Sequence, residues 1–140
     1  MKIQHFDKSN EQYINEAANL LASCFPHAYS DCAVEEMIDI LDKERLAVMA
    51  IEDNHLIGFA GAIPQYGVTG WELHPLAVNE IFRNMGIGSQ LVYKLEEEVA
   101  AHGGIVMYHM NSIRRSDIKL LALFPMQTDL ASLISGWQKD

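Results

Sequence analysis

The sequence is poor in cysteine and in basic residues, and it has no long apolar run. Two cysteines in 140 residues do not make the disulfide framework of a small secreted domain, so a reducing cytoplasm is the expected location. The apolar stretches fall far short of the ~20 residues that a membrane span needs. The first ten residues contain no apolar signal-peptide core. We therefore expect neither a membrane partner nor a secretion signal.

The charge is unevenly distributed along the chain. Ten Lys and Arg stand against nineteen Asp and Glu, a net charge of −9, which disfavours nucleic acid as a partner and suits a cationic ligand. Residues 1–108 hold six basic and sixteen acidic side chains, whereas residues 109–140 hold four and three, and no Glu. We therefore place a boundary at residue 109, between a body and a divergent tail of the same single domain.

Hydrophobic periodicity predicts an α+β fold with a mixed sheet and flanking helices. The strands are predicted over residues 2–6, 45–51, 55–63, 71–78 and 105–108. Helices are predicted over residues 11–25 and 86–102, with another helix between them that Ser30 or Asp31 caps. The turn residues Asp53 and Asn54 predict a hairpin between the second and third strands. In the tail, residues 117–124 and 129–137 are predicted as short amphipathic helices.

The turn between the strand at 71–78 and the following helix contains the most informative motif. A helix start presents unpaired backbone N–H groups and about half a positive charge, and glycines let a ligand approach the backbone closely. An arginine adds a permanent positive charge that suits phosphate geometry. The segment therefore predicts a diphosphate site, formed by Arg83, Asn84, Met85, Gly86, Ile87, Gly88 and Ser89.

The spacing of the glycines excludes two common nucleotide loops. A dinucleotide fingerprint, G-x-G-x-x-G, would need glycine where Leu91 stands, and a P-loop would need lysine after Gly88. The remaining pattern, R-x-x-G-x-G, resembles the pyrophosphate loop of the GCN5-related N-acetyltransferases (GNAT family). Taken alone the pattern is short, and an ordinary strand-to-helix turn is the alternative.

Three longer segments favour the pyrophosphate loop over an ordinary strand-to-helix turn. GFAGAIPQYGVTGWELHPLAV, RNMGIGSQLV and YKLEEEVAAHGGIVMY closely resemble the chromosomal-type aminoglycoside 6′-N-acetyltransferases of the GNAT family, within a resemblance that covers residues 3–108. The resemblance implies a GNAT-type mixed sheet and acetyl-CoA as cosubstrate. It also implies direct attack of an amine on the thioester, with the 6′-amine of an aminoglycoside, hence antibiotic resistance, as the expected case. Residues 109–140 match nothing in the family, so its C-terminal part, with the tyrosine expected as general acid, is expected to be truncated or replaced.

The resemblance gives the strand at 71–78 the role of holding the cosubstrate. The backbone of Leu76, Ala77 and Val78 is expected to bind the pantetheine arm, and the Leu76 N–H is expected to polarise the thioester carbonyl. Pro75 cannot donate a hydrogen bond to a central ladder, so it indicates a bulge or a free edge.

Glu72 and His74 lie two residues apart on the predicted strand, so both point to one face. The resemblance places this face in the acceptor site, where Glu72 takes the ammonium proton and His74 positions the acceptor or relays that proton. It adds Phe25, where the family tends to have tryptophan, and Asn79, where it can have an acid. The alternative is an exposed glutamate and a half-buried histidine without a chemical role.

Several alternatives stay open. Cys24, His27 and Cys32 straddle a helix end without a fourth ligand, so packing roles are favoured and no metal is expected. A small cationic amine is the expected partner, and family enzymes are commonly homodimers. The other candidate functions are an acyl-CoA-binding protein without turnover and an acetyltransferase for a protein or polyamine amine.

Overall fold

A computed structural model describes residues 1–67, 69–110 and 118–122, and it confirms the predicted mixed sheet with flanking helices. The six strands of the sheet are β1 (Lys2–His5), β2 (Leu46–Glu52), β3 (His55–Tyr66), β4 (Gly70–Val78), β5 (Val106–Met110) and β6 (Ile118–Ala122). The helices are α1 (Glu11–Cys24), α2 (Pro26–Tyr29), α3 (Ala33–Ile40) and α4 (Ile87–Ala101), and a 3₁₀ turn (Glu80–Phe82) precedes α4.

The strands lie in the sheet in the order in which they occur along the chain. Neighbouring strands pair antiparallel, except that β4 and β5 pair parallel. A parallel pair needs a long crossover connection, and α4 supplies it. The start of α4 therefore lies just beyond the end of β4.

Both faces of the sheet are covered by helices. In β2, Val48 and Ala50 pack with α4 on one face, while Ala47 and Met49 pack with α1 and α3 on the other. Successive side chains of a strand point to opposite faces, so the continuous apolar run of β2 is buried on both. The sheet thus lies between two apolar layers, one shared with α4 and the other shared with α1 and α3.

Local sequence signals explain where the first elements begin and turn. Asn10 caps α1, because its side chain accepts a hydrogen bond from the backbone N–H of Tyr13 at 3.1 Å. Asp53 and Asn54 have φ angles of 50° and 65°, the left-handed values that a tight two-residue hairpin turn requires. The predicted hairpin is confirmed.

The prediction for residues 26–32 is wrong in two respects. Residues 26–29 form α2, which was not predicted, with Pro26 at a first-turn position where its missing N–H costs nothing. The following helix begins after Cys32, without a side-chain cap, and not at Ser30 or Asp31.

The prediction of a helix over residues 117–124 is also wrong. Residues Ile118–Ala122 form β6, which pairs antiparallel with β5. A short apolar run does not distinguish helix from strand, and β5 offers unpaired N–H and C=O groups that a neighbouring strand satisfies. The helix predicted over residues 129–137 lies outside the described residues. Within the described ranges, no helix is long and apolar enough to cross a membrane.

Candidate active site

The sheet opens between β4 and β5. Their parallel pairing runs from Gly70–Val106 to Glu72–Tyr108, whereas β4 stays paired with β3 as far as Val78. In the register of the described strands, β4 is therefore no longer paired with β5 after residue 72, although it is still paired with β3. The backbone of residues 73–78 faces the opening, where an extended ligand can add to it as another strand would.

A β-bulge in β4 lies at this point. Ala60 of β3 pairs with Leu76 and Ala62 pairs with Leu73, so β4 contains one residue more than β3 over the same length. The extra residue falls at His74–Pro75, which are joined by a cis peptide bond. The bulge predicted from Pro75 is confirmed.

The bulge reverses the order in which β4 side chains alternate between the two faces. The residues on the α4 side are Trp71 and Leu73 before the bulge, and Leu76 and Val78 after it. Ala77 packs on the α1–α3 side. Glu72 and His74 therefore share the α1–α3 face, as predicted, whereas the side chains of Leu76 and Val78 lie on the other face.

His74 belongs to a polar cluster that also contains side chains from α2 and α3. Its Nε2 atom lies 3.3 Å from the hydroxyl oxygen of Tyr29 and 3.7 Å from a carboxylate oxygen of Glu36. Burial, followed by the charges of Glu36 and Cys32, raises the pKa of the Tyr29 phenol above 10.0. The phenol therefore stays protonated at neutral pH.

Phe25 is connected to this cluster through Tyr29. The two rings meet edge to face with their centroids 6.2 Å apart, and Phe25 packs against the apolar layer of α1 and α3. Tyr29 was missed from sequence because α2 was not predicted, and Glu36 was missed because its approach to His74 depends on how α3 packs over the sheet. The signal that could have found Tyr29 is its position four residues after Phe25, on one side of a helical turn.

Glu72 presents a carboxylate on the same face as His74. It accepts a hydrogen bond of 2.9 Å from the side-chain amide of Gln65 on β3. A partly exposed carboxylate that is held in this way can accept a proton from an ammonium group or from a bound water.

Gly61 is a further residue that sequence reasoning missed. A Cβ atom at this position of β3 would lie 2.7 Å from the carbonyl oxygen of His74 and 3.2 Å from a side-chain carbon of Ile40. The bulge thus approaches β3 so closely that no side chain fits. A glycine within a strand is the only sequence signal of this contact.

The predicted turn before α4 is confirmed. Gly86 is the N-terminal cap of α4 with a φ angle of 80°, and no side chain caps the helix start. A Cβ atom built on Gly86 meets no atom within 4 Å, so the approach to these backbone N–H groups is open. Uncapped N–H groups at a helix start bind anions.

The other residues of the turn vary in exposure. Asn84 has a left-handed φ angle of 65°. Met85 is 64% exposed, whereas Ile87 and Gly88 are buried against the sheet and Ser89 is half-buried. The residues free to contact a ligand with their side chains are thus Asn84, Met85 and Ser89.

Arg83 is held by protein groups. Its guanidinium donates hydrogen bonds to the Val78 carbonyl oxygen at 3.1 Å and to the Cys24 sulfur at 3.3 Å. Arg83 thus ties the turn to the ends of β4 and α1. A contact between its side chain and a phosphate stays a prediction.

Asn79 lies beside Arg83 and apart from the His74 cluster. Its side-chain oxygen accepts a hydrogen bond from the Ile81 N–H at 3.0 Å and so caps the 3₁₀ turn. Asn79 and Arg83 line a cavity of ≈ 560 Å³ together with the end of α1. The structure therefore gives Asn79 a capping role, and its contact with an acceptor stays a prediction.

Among the described residues, no three His, Cys, Asp or Glu side chains are grouped to hold a metal.

The comparison with protein families identifies the fold. The model described as the acetyltransferase (GNAT) family matches residues 14–123, more than three quarters of the chain. The chain belongs to the GNAT family. The match extends beyond Tyr108, where the sequence resemblance was expected to end, and it includes β6. β5 also crosses residue 109 without a break, and the truncation or replacement of the family's C-terminal part stays a prediction.

Solved structures of other GNAT proteins agree with this assignment. A crystal structure of an aminoglycoside 6′-N-acetyltransferase complexed with coenzyme A is 46% identical with a TM-score of 0.77, covering 78% of this chain and 61% of its own. The enzyme of that name from Enterococcus faecium has the same identity and coverage and a TM-score of 0.75. An aminoglycoside 6′-acetyltransferase type Ii is 34% identical with a TM-score of 0.79, covering 89% of this chain and 99% of its own.

The chain spans 61% of the length of the first two of these relatives. No match was found among the curated proteins.

Proposed function

We propose that this GNAT protein transfers the acetyl group of acetyl-CoA to an amine, and that the amine is the 6′-amine of an aminoglycoside. The observation that carries the proposal is the opening of the sheet after Glu72, directly beside the uncapped start of α4. An exposed strand backbone and an anion-binding helix start are the two features that an acyl-pantetheine diphosphate needs.

The cosubstrate would lie along β4 and end at α4. The pantetheine amides would bond the backbone of Leu76 and Val78, as an added strand would. The diphosphate would accept hydrogen bonds from the N–H groups of Gly86, Gly88 and Ser89. The solved relative that contains coenzyme A supports this choice of ligand.

The reaction needs no covalent enzyme intermediate. The acceptor ammonium loses a proton to Glu72, directly or through a water, because only the neutral amine is nucleophilic. Its nitrogen then bonds the acetyl carbon, and the carbonyl oxygen becomes an oxyanion that the Leu76 N–H stabilises. When the oxyanion collapses, the carbon–sulfur bond breaks and CoA leaves as a thiolate, which takes up the second proton that the nitrogen loses as it becomes the amide.

Charge and similarity favour an aminoglycoside as the acceptor. Glu72 and Glu36 lie on the α1–α3 face near the opening of the sheet, and the net charge of −9 attracts a polycation. The relatives at 34–46% identity carry aminoglycoside 6′-acetyltransferase names.

A thiol-release assay tests the proposal. Acetyl-CoA is mixed with the full chain and a panel of aminoglycosides and linear polyamines, while calorimetry measures CoA binding separately. We expect CoA binding together with thiol release that depends on the aminoglycoside. Release with polyamines only would contradict the acceptor, and binding without release from any amine would favour a CoA-binding protein without turnover.

A further inference from the structure

The cluster around His74 contains two residues to which the reaction above gives no role. Tyr29 is half-buried on α2, and the carboxylate of Glu36 on α3 has a side-chain exposure of 26%. Both point at the same atom, Nε2 of His74, from the helices that cover this face of the sheet. We propose that Tyr29 and Glu36 are positioning residues that keep a proton on Nε2 of His74 and so leave Nδ1 as the basic nitrogen.

The charge of Glu36 favours one tautomer of the neutral imidazole, and the Tyr29 hydroxyl holds Nε2 beside that charge. If Nε2 carries the proton, it donates to the Tyr29 hydroxyl oxygen at 3.3 Å, and the Glu36 carboxylate at 3.7 Å stabilises the positive edge of the ring. If Nδ1 carries the proton, Nε2 accepts from the Tyr29 hydroxyl, but its lone pair also faces the Glu36 carboxylate, which is unfavourable. The Glu36 distance exceeds a hydrogen bond, so its effect is electrostatic.

The surroundings keep the two partners in place. The Tyr29 ring is fixed edge to face against Phe25, and Glu36 lies on α3 immediately before Met37, which is fully buried. The tyrosine stays a neutral hydroxyl that can accept from Nε2, because burial opposes its ionisation. The protein therefore sets the tautomer before any substrate binds.

This inference rests on the proposed function, since it gives His74 a task in that reaction. A histidine with Nε2 protonated presents the Nδ1 lone pair, which can relay the proton that the acceptor amine gives up to Glu72, directly or through a water. The proton passes from the ammonium nitrogen to Glu72 and from Glu72 to Nδ1, and the ring becomes an imidazolium that the Glu36 charge stabilises. In this role Glu36 and Tyr29 act through His74, which both of them contact.

Nitrogen NMR of the ¹⁵N-histidine-labelled full chain tests the tautomer. The His74 signals are assigned by their loss in His74→Gln. We expect the wild type to show a protonated Nε2 and an unprotonated Nδ1, and Glu36→Gln to weaken this preference. The matched control is Glu35→Gln, because Glu35 is the exposed neighbouring acid on the same helix. A wild-type His74 with the proton on Nδ1, or identical spectra for Glu36→Gln and Glu35→Gln, would overturn the proposal.

Kinetics test whether the tautomer matters. We expect Glu36→Gln and Tyr29→Phe each to lower kcat by about tenfold, with KM for acetyl-CoA unchanged, because acid–base steps contribute a hundredfold or more. Tyr93→Phe is the control for loss of a hydroxyl, since Tyr93 is 45% exposed on α4. If kcat is undiminished in both Glu36→Gln and Tyr29→Phe, the proposed role of the His74 tautomer in catalysis is overturned. If the wild type releases no thiol with any amine, the proposed function fails, while the NMR spectrum still decides the tautomer.

Discussion

At the scale of single residues, glycines fix the geometry of the candidate site more tightly than its charged groups do. Gly61 lets the bulge of β4 lie against β3, and Gly86 turns the chain into α4 with a left-handed φ angle. The first glycine is needed for space and the second for conformation. These two requirements lead to different expected effects of substitution.

Replacing Gly61 by alanine is expected to destabilise the protein by about 1–3 kcal/mol, because the new methyl group would overlap the His74 carbonyl oxygen. The bulge must move to relieve the overlap, so acetyl transfer should fall as well. Urea unfolding measures the first effect and thiol release the second. Gly67→Ala is the control, since Gly67 has open space around it and a φ angle of 67°. It should cost only about 1–2 kcal/mol of backbone strain and leave transfer by the folded protein unchanged. Equal activity losses in the two variants would contradict this account of the bulge.

Replacing Gly86 by asparagine separates conformation from ligand approach. Asparagine tolerates the left-handed region, and no atom of the protein lies within 4 Å of the new Cβ, so the free energy of unfolding should change little. The side chain would nevertheless project where the diphosphate is expected, and CoA should bind at least about tenfold more weakly, or ~1.4 kcal/mol.

Calorimetry with CoA measures this affinity, with Gly67→Asn as a matched change at another left-handed glycine. Unchanged CoA affinity in Gly86→Asn would refute the assignment of the diphosphate loop.

At the scale of elements, α4 contains an acid that its position disfavours. Glu96 is half-buried, and one of its carboxylate oxygens has no hydrogen-bond partner in the described part of the chain. Burial raises the pKa of this carboxyl group above its ordinary value of 4.5. Folding therefore favours the protonated form of Glu96. The stability that this protonation contributes is present at low pH and is lost as the pH rises through the raised pKa.

Glu96→Gln is accordingly expected to stabilise the protein at pH 7 relative to the wild type. At pH 4 the wild-type carboxyl group is largely protonated, so the difference in the free energy of unfolding should shrink. Urea unfolding at pH 7 and at pH 4 measures this difference between Glu96→Gln and the wild type. Glu97→Gln, a change at a 75%-exposed neighbour, should show little of this dependence. A difference between Glu96→Gln and the wild type that does not vary with pH would contradict the assignment.

The strands and helices that could be predicted from sequence are those whose own residues determine them. The continuous apolar run of β2, the Asp53-Asn54 turn and the glycines before α4 each required one local conformation. The first turn of α3 and the strand β6 depend instead on neighbours. Cys32 is not a side-chain cap, and β6 forms because β5 offers it a partner. Sequence periodicity contains no information about such partners.

At the scale of the whole molecule, the same distinction applies to the site. Glu72, His74 and the Gly86 turn were predicted together because one continuous segment that resembles a known family runs along β4 and into α4. Tyr29 and Glu36 lie about forty residues earlier and reach His74 only because α2 and α3 cover that face of the sheet. The guanidinium of Arg83 bonds Val78 and Cys24 because the end of α1 lies beside it, a contact that the local motif could not predict.

The whole molecule combines an opened sheet, an uncapped helix start and an excess of negative charge. Together these features favour a ligand that is anionic at one end, the diphosphate of CoA, and an acceptor that is cationic. The central prediction is therefore that the acetyl group moves from acetyl-CoA to the 6′-amine of the acceptor.

The most direct test compares two aminoglycosides that differ only at the 6′ carbon, one with an amine and one with a hydroxyl group. The full chain is incubated with acetyl-CoA and each compound, and mass spectrometry measures the product. The account predicts a single added acetyl group on the 6′-amino compound and none on the 6′-hydroxy compound. Equal acetylation of both, or of neither while CoA is bound, would contradict it.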